Sequence, residues 1–143
     1  MKILVPVDGS KYSMEGLKVA LDYAKTKKAE IILAHVVPFV AGMDLEVSAH
    51  RLDDINAEFK RAGEAALAKA SDQLKADGVT AKTILSTSSN PAEEIITIAE
   101  KEKVELVIIG SRGLTGAARF MLGSTASKVV RHCPCSVYVV KIK

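Results

Sequence analysis

At 143 residues the chain is the size of one ordinary domain, and 48% apolar with 26% charged residues is the composition of a globular protein that can bury a core without disulfides or metal. The formal charge of +3 is scattered over Lys and Arg among nearly as many acids, with no basic stripe or tail, so no nucleic-acid partner is expected. No apolar run approaches the roughly 20 residues needed to cross a bilayer, so membrane insertion is not expected either.

The opening run from Met1 to Asp8 is too short for the apolar stretch of a signal peptide, and Ile3 to Val7 reads as a first strand. Met14, Leu17, Leu21 and Ala24 follow at helical spacing. Ile31 to Val37 is the second strand. The stretch from Pro38 to about His50 is irregular and is expected to be a loop or a short helix around Leu45. A long second helix carries Leu52, Ile55, Phe59, Ala62, Ala66, Ala70 and Leu74 on one stripe and stops at Gly78.

Ala81 to Ser86 is a third, less apolar strand, suited to a sheet edge. In the third helix Asn90 is placed to cap, Pro91 suits the first helical position, and Glu93 is placed to bond back to the cap. Leu106 to Gly110 is the fourth strand, and its unbroken apolar run implies cover on both faces, as in a parallel sheet. A last helix starts near Ser124 or Thr125, buries Ala126, Val129 and Val130, and is closed by Pro134 before a fifth strand, Val137 to Ile142. Strand and helix alternate throughout, which predicts a doubly wound α/β domain with right-handed crossovers.

In such a sheet ligands bind beyond the carboxyl ends of the strands. Val7-Asp8-Gly9-Ser10 follows the first strand. Gly110-Ser111-Arg112-Gly113-Leu114-Thr115-Gly116 follows the fourth, and Gly123-Ser124-Thr125 opens the last helix. Closely spaced glycines let backbone amides approach a ligand, and the amino end of a helix attracts phosphate. A flexible turn before a capped helix would explain the same residues. There is no G-x-x-x-x-G-K-[ST] run, and no G-x-G-x-x-G after the first strand, so neither a Walker loop nor a dinucleotide fingerprint is present.

Several other residues have ordinary explanations. Asp8 suits a helix cap or a turn with Gly9 and Ser10 as well as a ligand contact. Arg112 and Arg119 suit solvated surface as well as phosphate. His35, at the end of a buried strand, reads as a packed polar residue. His132, Cys133 and Cys135 offer three crowded ligands where structural zinc takes four, so no metal site is expected. One proline between Cys133 and Cys135 is a poor arrangement for an unstrained bridge, and both read as small residues entering the last strand. Neither a G-x-S-x-G elbow nor an H-E-x-x-H run is present, and no residue is evident that would activate water. Cysteine usage fits a cytoplasmic protein.

Gly110-x-x-Gly113, nine residues, then Gly123-Ser124 resembles the G-x2-G-x9-G-[ST] pattern of the nucleotide-binding branch of the universal stress protein family. Lys2 to Ser10, Ala34-His35-Val36-Val37 and Pro134 to Val140 resemble that family's first strand and loop, second strand end and closing strand. The resemblance implies a five-stranded parallel sheet of order 3-2-1-4-5 with helices on both faces. It places Asp8 at the ribose or adenine, Pro6 and Val7 on the pocket floor, and the Val36 backbone at the adenine. Ile109 and Gly110 would lie along the nucleoside, and Gly113, Gly123, Ser124 and Thr125 would hold phosphate.

The ligand so implied is ATP, or ADP or AMP, with Mg2+ reaching the site through the phosphates. The expected role is a regulatory module in stress response, homodimeric through the C-terminal strand and read by a downstream protein. The alternatives are a slow ATPase or nucleotidyl-handling enzyme at the same crevice, and an interaction protein with an empty pocket.

Overall fold

A computed structural model describes residues 1–39, 49–113 and 122–142. Strands β1 (Lys2–Pro6), β2 (Glu30–Pro38), β3 (Lys82–Ser88), β4 (Leu106–Gly110) and β5 (Ser136–Val140) alternate with helices α1 (Lys11–Lys27), α2 (Ala49–Ala76), α3 (Pro91–Lys101) and α4 (Ser124–His132). All four strand pairings are parallel and the order is β3-β2-β1-β4-β5, as the resemblance implies. The loop or short helix expected around Leu45 lies outside the described residues.

Strand ends differ from the sequence reading where the partner decides them. β3 runs on to Ser88 because β2 reaches Pro38 and pairs with it. β5 stops at Val140 because β4 ends at Gly110, its register partner, leaving Lys141 and Ile142 beyond the ladder.

Alternate residues of each strand enter opposite cores. Ile3, Val5, Ile31, Leu33 and Ile108 pack under α1 and α2. Leu4, Ile32, Val107 and Ile109 pack under α3 and α4. The buried face of α1 is Ser13, Gly16, Leu17 and Ala20, which differs from the expected stripe. Small residues let this helix lie close to the sheet, while Met14, Leu21 and Ala24 pack at the margin of the core. Only the second half of α2 is well covered, at Gly63, Leu67, Ala70 and Leu74, and Phe59 remains 37% exposed.

Local chemistry sets the helix ends. Gly78 has φ +79, its N–H donates to Lys75 O at 2.9 Å, and Val79 N–H donates to Leu74 O at 2.9 Å. This pair of bonds is a Schellman stop, which favours glycine in the left-handed position. At α3 the Asn90 side chain accepts from Glu93 N–H at 3.2 Å as expected. Glu93 does not reach the Asn90 N–H: its carboxylate accepts from the Asn90 side-chain amide at 3.2 Å, and Ser88 Oγ takes the backbone N–H at 3.1 Å.

Candidate functional site

Strand order reverses between β1 and β4, and a cleft of about 760 Å³ opens there beyond the carboxyl ends of the strands. Pro6, Val7, Asp8, Val36, Ile109, Gly110, Arg112, Gly113, Gly123, Ser124 and Thr125 all line it. The geometry thus brings these eleven residues, each picked out from the sequence as a site candidate, to one cleft.

The turn after β1 is built by its own polar side chains. Asp8 Oδ1 accepts from Ser10 N–H at 2.8 Å, and Ser10 Oγ caps α1 by accepting from Ser13 N–H at 3.2 Å. Asp8 therefore holds the turn and Ser10 is the cap. The other carboxylate oxygen of Asp8 sits beside Gly113, where an added Cβ would lie 3.0 Å from Oδ2. The β1 turn and the glycine segment meet at this point.

β2 outruns β1. The β1–β2 register ends at Pro6 with Ala34, and Val7 N–H adds one more bond to Ala34 O at 2.8 Å. The peptide groups of alternate residues point to the same side of a strand, so those of Val36, two beyond Ala34, face the β1 side where β1 has ended. They form a short main-chain edge at the cleft. His35 points to the opposite side chain layer: its Nδ1–H donates to the Val7 carbonyl at 2.6 Å, and its ring lies against Gly63 of α2, where any side chain would collide with it. His35 is a packed, hydrogen-bonded residue that ties β1, β2 and α2 together and also lines the cleft.

The glycines serve different purposes. At Gly110 an added Cβ would lie 2.7 Å from Tyr12 Cβ, so this glycine admits the first turn of α1. Gly123 N–H donates to Ser111 O at 2.8 Å, and Ser111 N–H donates to Val140 O at 2.8 Å. The Gly123 amide is thus spent inside the protein. The amides that open onto the cleft are those that follow it in the first turn of α4, which has no side-chain cap. Arg112 lies with its guanidinium carbon 6.0 Å from the Tyr12 ring centroid. Thr115, Gly116 and Arg119 lie outside the described residues.

Sequence reasoning missed Lys128 and Arg131, which also line the cleft. Ser124, Lys128 and Arg131 fall at i, i+4 and i+7, one face of α4, beside the buried Ala126 and Val129. That spacing was the available signal. Pro91 and Ile95 of α3 supply an apolar wall.

A groove of about 550 Å³ lies at the amino ends of the strands, lined by Lys2, Lys28, Lys82 and Glu102 among others. Lys82 donates to Glu102 at 2.7 Å and holds its carboxyl below the ordinary value. Helix amino ends all face the opposite rim in this topology, so the groove offers no amide cluster for an anion. Among the described residues no group of three or more His, Cys, Asp or Glu is placed to hold a metal, and no helix is long and apolar enough to cross a membrane.

The sequence profile of the Universal stress protein family matches residues 1–141. A universal stress protein of Methanocaldococcus jannaschii is 38% identical over 143 residues, covering 98% of this chain and 81% of that one. Among solved structures, the universal stress protein UspA from Lactobacillus plantarum superposes with a TM-score of 0.86 at 25% identity, covering 98% of this chain and 97% of that chain. Another universal stress protein, solved in complex with cAMP, superposes with a TM-score of 0.72 at 25% identity, over 99% and 96% of the two chains. The chain belongs to the universal stress protein family.

Proposed function

We propose that this chain binds an adenine nucleotide, ATP foremost, in the cleft between β1 and β4, and acts as a nucleotide-responsive regulatory module in stress response. The observation that carries the reading is the arrangement of the cleft. An uncapped helix amino end stands on one side, and Asp8 and the unpaired main-chain edge at Val36 stand on the other. The related structure solved with cAMP supports an adenine nucleotide as the ligand class.

In this reading the donor and acceptor of the Val36 peptide groups meet the adenine edge, and Pro6, Val7 and Ile109 pack against the nucleoside. Asp8 accepts from the ribose hydroxyls. The first amides of α4, with Ser124, Thr125 and Gly113, take the phosphates, where each bond to a charged oxygen contributes about 1.5–3 kcal/mol. Lys128 and Arg131 extend the positive wall along α4 toward the outer phosphates, and Mg2+ would enter with them. A homodimer through β5 and a cytoplasmic location complete the proposal.

The test is calorimetry on nucleotide-free protein, with mass spectrometry of whatever nucleotide leaves the gently purified protein on denaturation. ATP or another adenine nucleotide should be released and should rebind with one site per chain. At a hundredfold excess over Kd it should stabilise the fold by about 2.7 kcal/mol. Absence of heat and of any melting shift with ATP, ADP, AMP and cAMP would overturn the proposal.

A further inference from the structure

Two sulfurs stand in contact at the joint between α4 and β5. Cys133 caps α4 with extended backbone (φ −69, ψ 132), and its N–H donates to Val129 O at 2.9 Å. Extended chain turns residues i and i+2 to one side, which brings Cys133 and Cys135 together across Pro134. Their Sγ atoms lie 3.4 Å apart. Both thiols are free and half-buried, and both pack against the core layer that contains Val107 and Val129.

A disulfide bond is about 2.05 Å long, so the sulfurs at 3.4 Å need approach by only about 1.35 Å. We infer that Cys133 and Cys135 are a reversible oxidation site, closed to an intrachain disulfide by a low-molecular-weight disulfide of the glutathione class. One intervening residue, and that a proline, leaves a small and stiff ring. Strained bridges of this kind are the readily reduced ones, which suits a switch rather than a permanent clamp.

Burial, and then the hydrogen bond with Cys133, pushes the Cys135 thiol up to about 11. The exchange balances identically whichever sulfur attacks first; here Cys133 opens it. Its thiolate displaces one thiolate from the small disulfide and forms a mixed disulfide. Cys135 then gives its proton to solvent and attacks Cys133 Sγ, and the second small thiolate leaves. Two electrons pass from the protein dithiol to the oxidant, which departs as two thiols. The site needs no bound nucleotide.

The experiment equilibrates the reduced, desalted protein in glutathione buffers of increasing oxidised fraction, quenches with a maleimide and reads intact mass. Wild type should lose two hydrogens, label at neither cysteine, retain no glutathione, run as a single chain without reductant, and recover both thiols on reduction. Cys135→Ser should accumulate the mixed disulfide at Cys133, which wild type resolves. The wild-type result carries the test, whatever the variant does to folding. Three outcomes would overturn the inference: two labelled thiols in buffers that oxidise a peptide spanning His132 to Ser136, a stable mixed disulfide on wild type, or bridges between chains.

Discussion

Gly123 and Ser111 are joined by a 2.8 Å hydrogen bond from the glycine N–H to the serine carbonyl, and Ser111 is joined in the same way to Val140. The start of α4 is thereby hung from the ends of β4 and β5. Gly123 has φ −57, which any residue can adopt, so its constraint is closeness: an added Cβ would lie 3.1 Å from Ser111 O and 3.3 Å from Arg112 Cα. Gly123→Val should push α4 away from this seat, at an overpacking cost of about 1–3 kcal/mol. The variant should remain folded with a lower melting point and bind ATP at least about tenfold more weakly, a loss of about 1.4 kcal/mol. An unchanged calorimetric affinity in the folded variant would remove α4 from the site.

Asp8 has a structural role and a proposed recognition role, and two substitutions separate them. Asp8→Asn keeps an oxygen for the Ser10 N–H, whereas Asp8→Ala leaves that donor without its partner and should cost about 1 kcal/mol of stability. Both should weaken AMP and ATP alike, and neither should alter binding of inorganic phosphate. Normal AMP affinity in Asp8→Ala would reduce Asp8 to a turn residue.

Lys128 and Arg131 stand along α4 beyond its amino end, so their effect should grow with the length of the phosphate chain. The double variant Lys128→Met, Arg131→Met should lose roughly tenfold in ATP affinity and less than about twofold in AMP affinity. Its ATP binding should also depend less steeply on ionic strength. Equal losses for both nucleotides would place the two side chains away from the outer phosphates.

β5 is an edge strand, and Tyr138 is 43% exposed on it. Because Val140 O bonds toward β4, the alternate residues Val137 and Val139 turn their peptide groups outward, where a second copy related by two-fold symmetry can pair with them. Val139→Pro removes one outward N–H, keeps apolar bulk against the core, and leaves the β4–β5 bonds intact. Light scattering should find wild type dimeric and this variant shifted to monomer. A wild-type monomer at high micromolar concentration would sink the proposed interface.

The strands were legible because both faces of the sheet are covered, which writes unbroken apolar runs such as Leu106 to Ile109 into the sequence. Sheet order was not legible from pattern and came with the glycine motif. The placement of the candidate residues at strand ends followed from topology. The purposes of the individual glycines did not, because the contact between Gly110 and Tyr12 and the bond from Gly123 to Ser111 join residues that pattern alone does not bring together. Lys128 and Arg131 were missed for a related reason. A short helix with small buried residues offers several polar faces, and only its packing against α3 and the sheet decides which one meets the cleft.

α4 is nine residues long, about 13.5 Å from end to end. Its first turn opens on the cleft, and Cys133 caps its last. A helix of about two and a half turns is a continuous element between the two ends, through which a change at one can reach the other. Whatever factor closing the Cys133–Cys135 bridge applies to nucleotide affinity, bound nucleotide must apply the same factor to the equilibrium of bridge closure. Energy charge and thiol redox state would then be read by this one helix as a single combined variable.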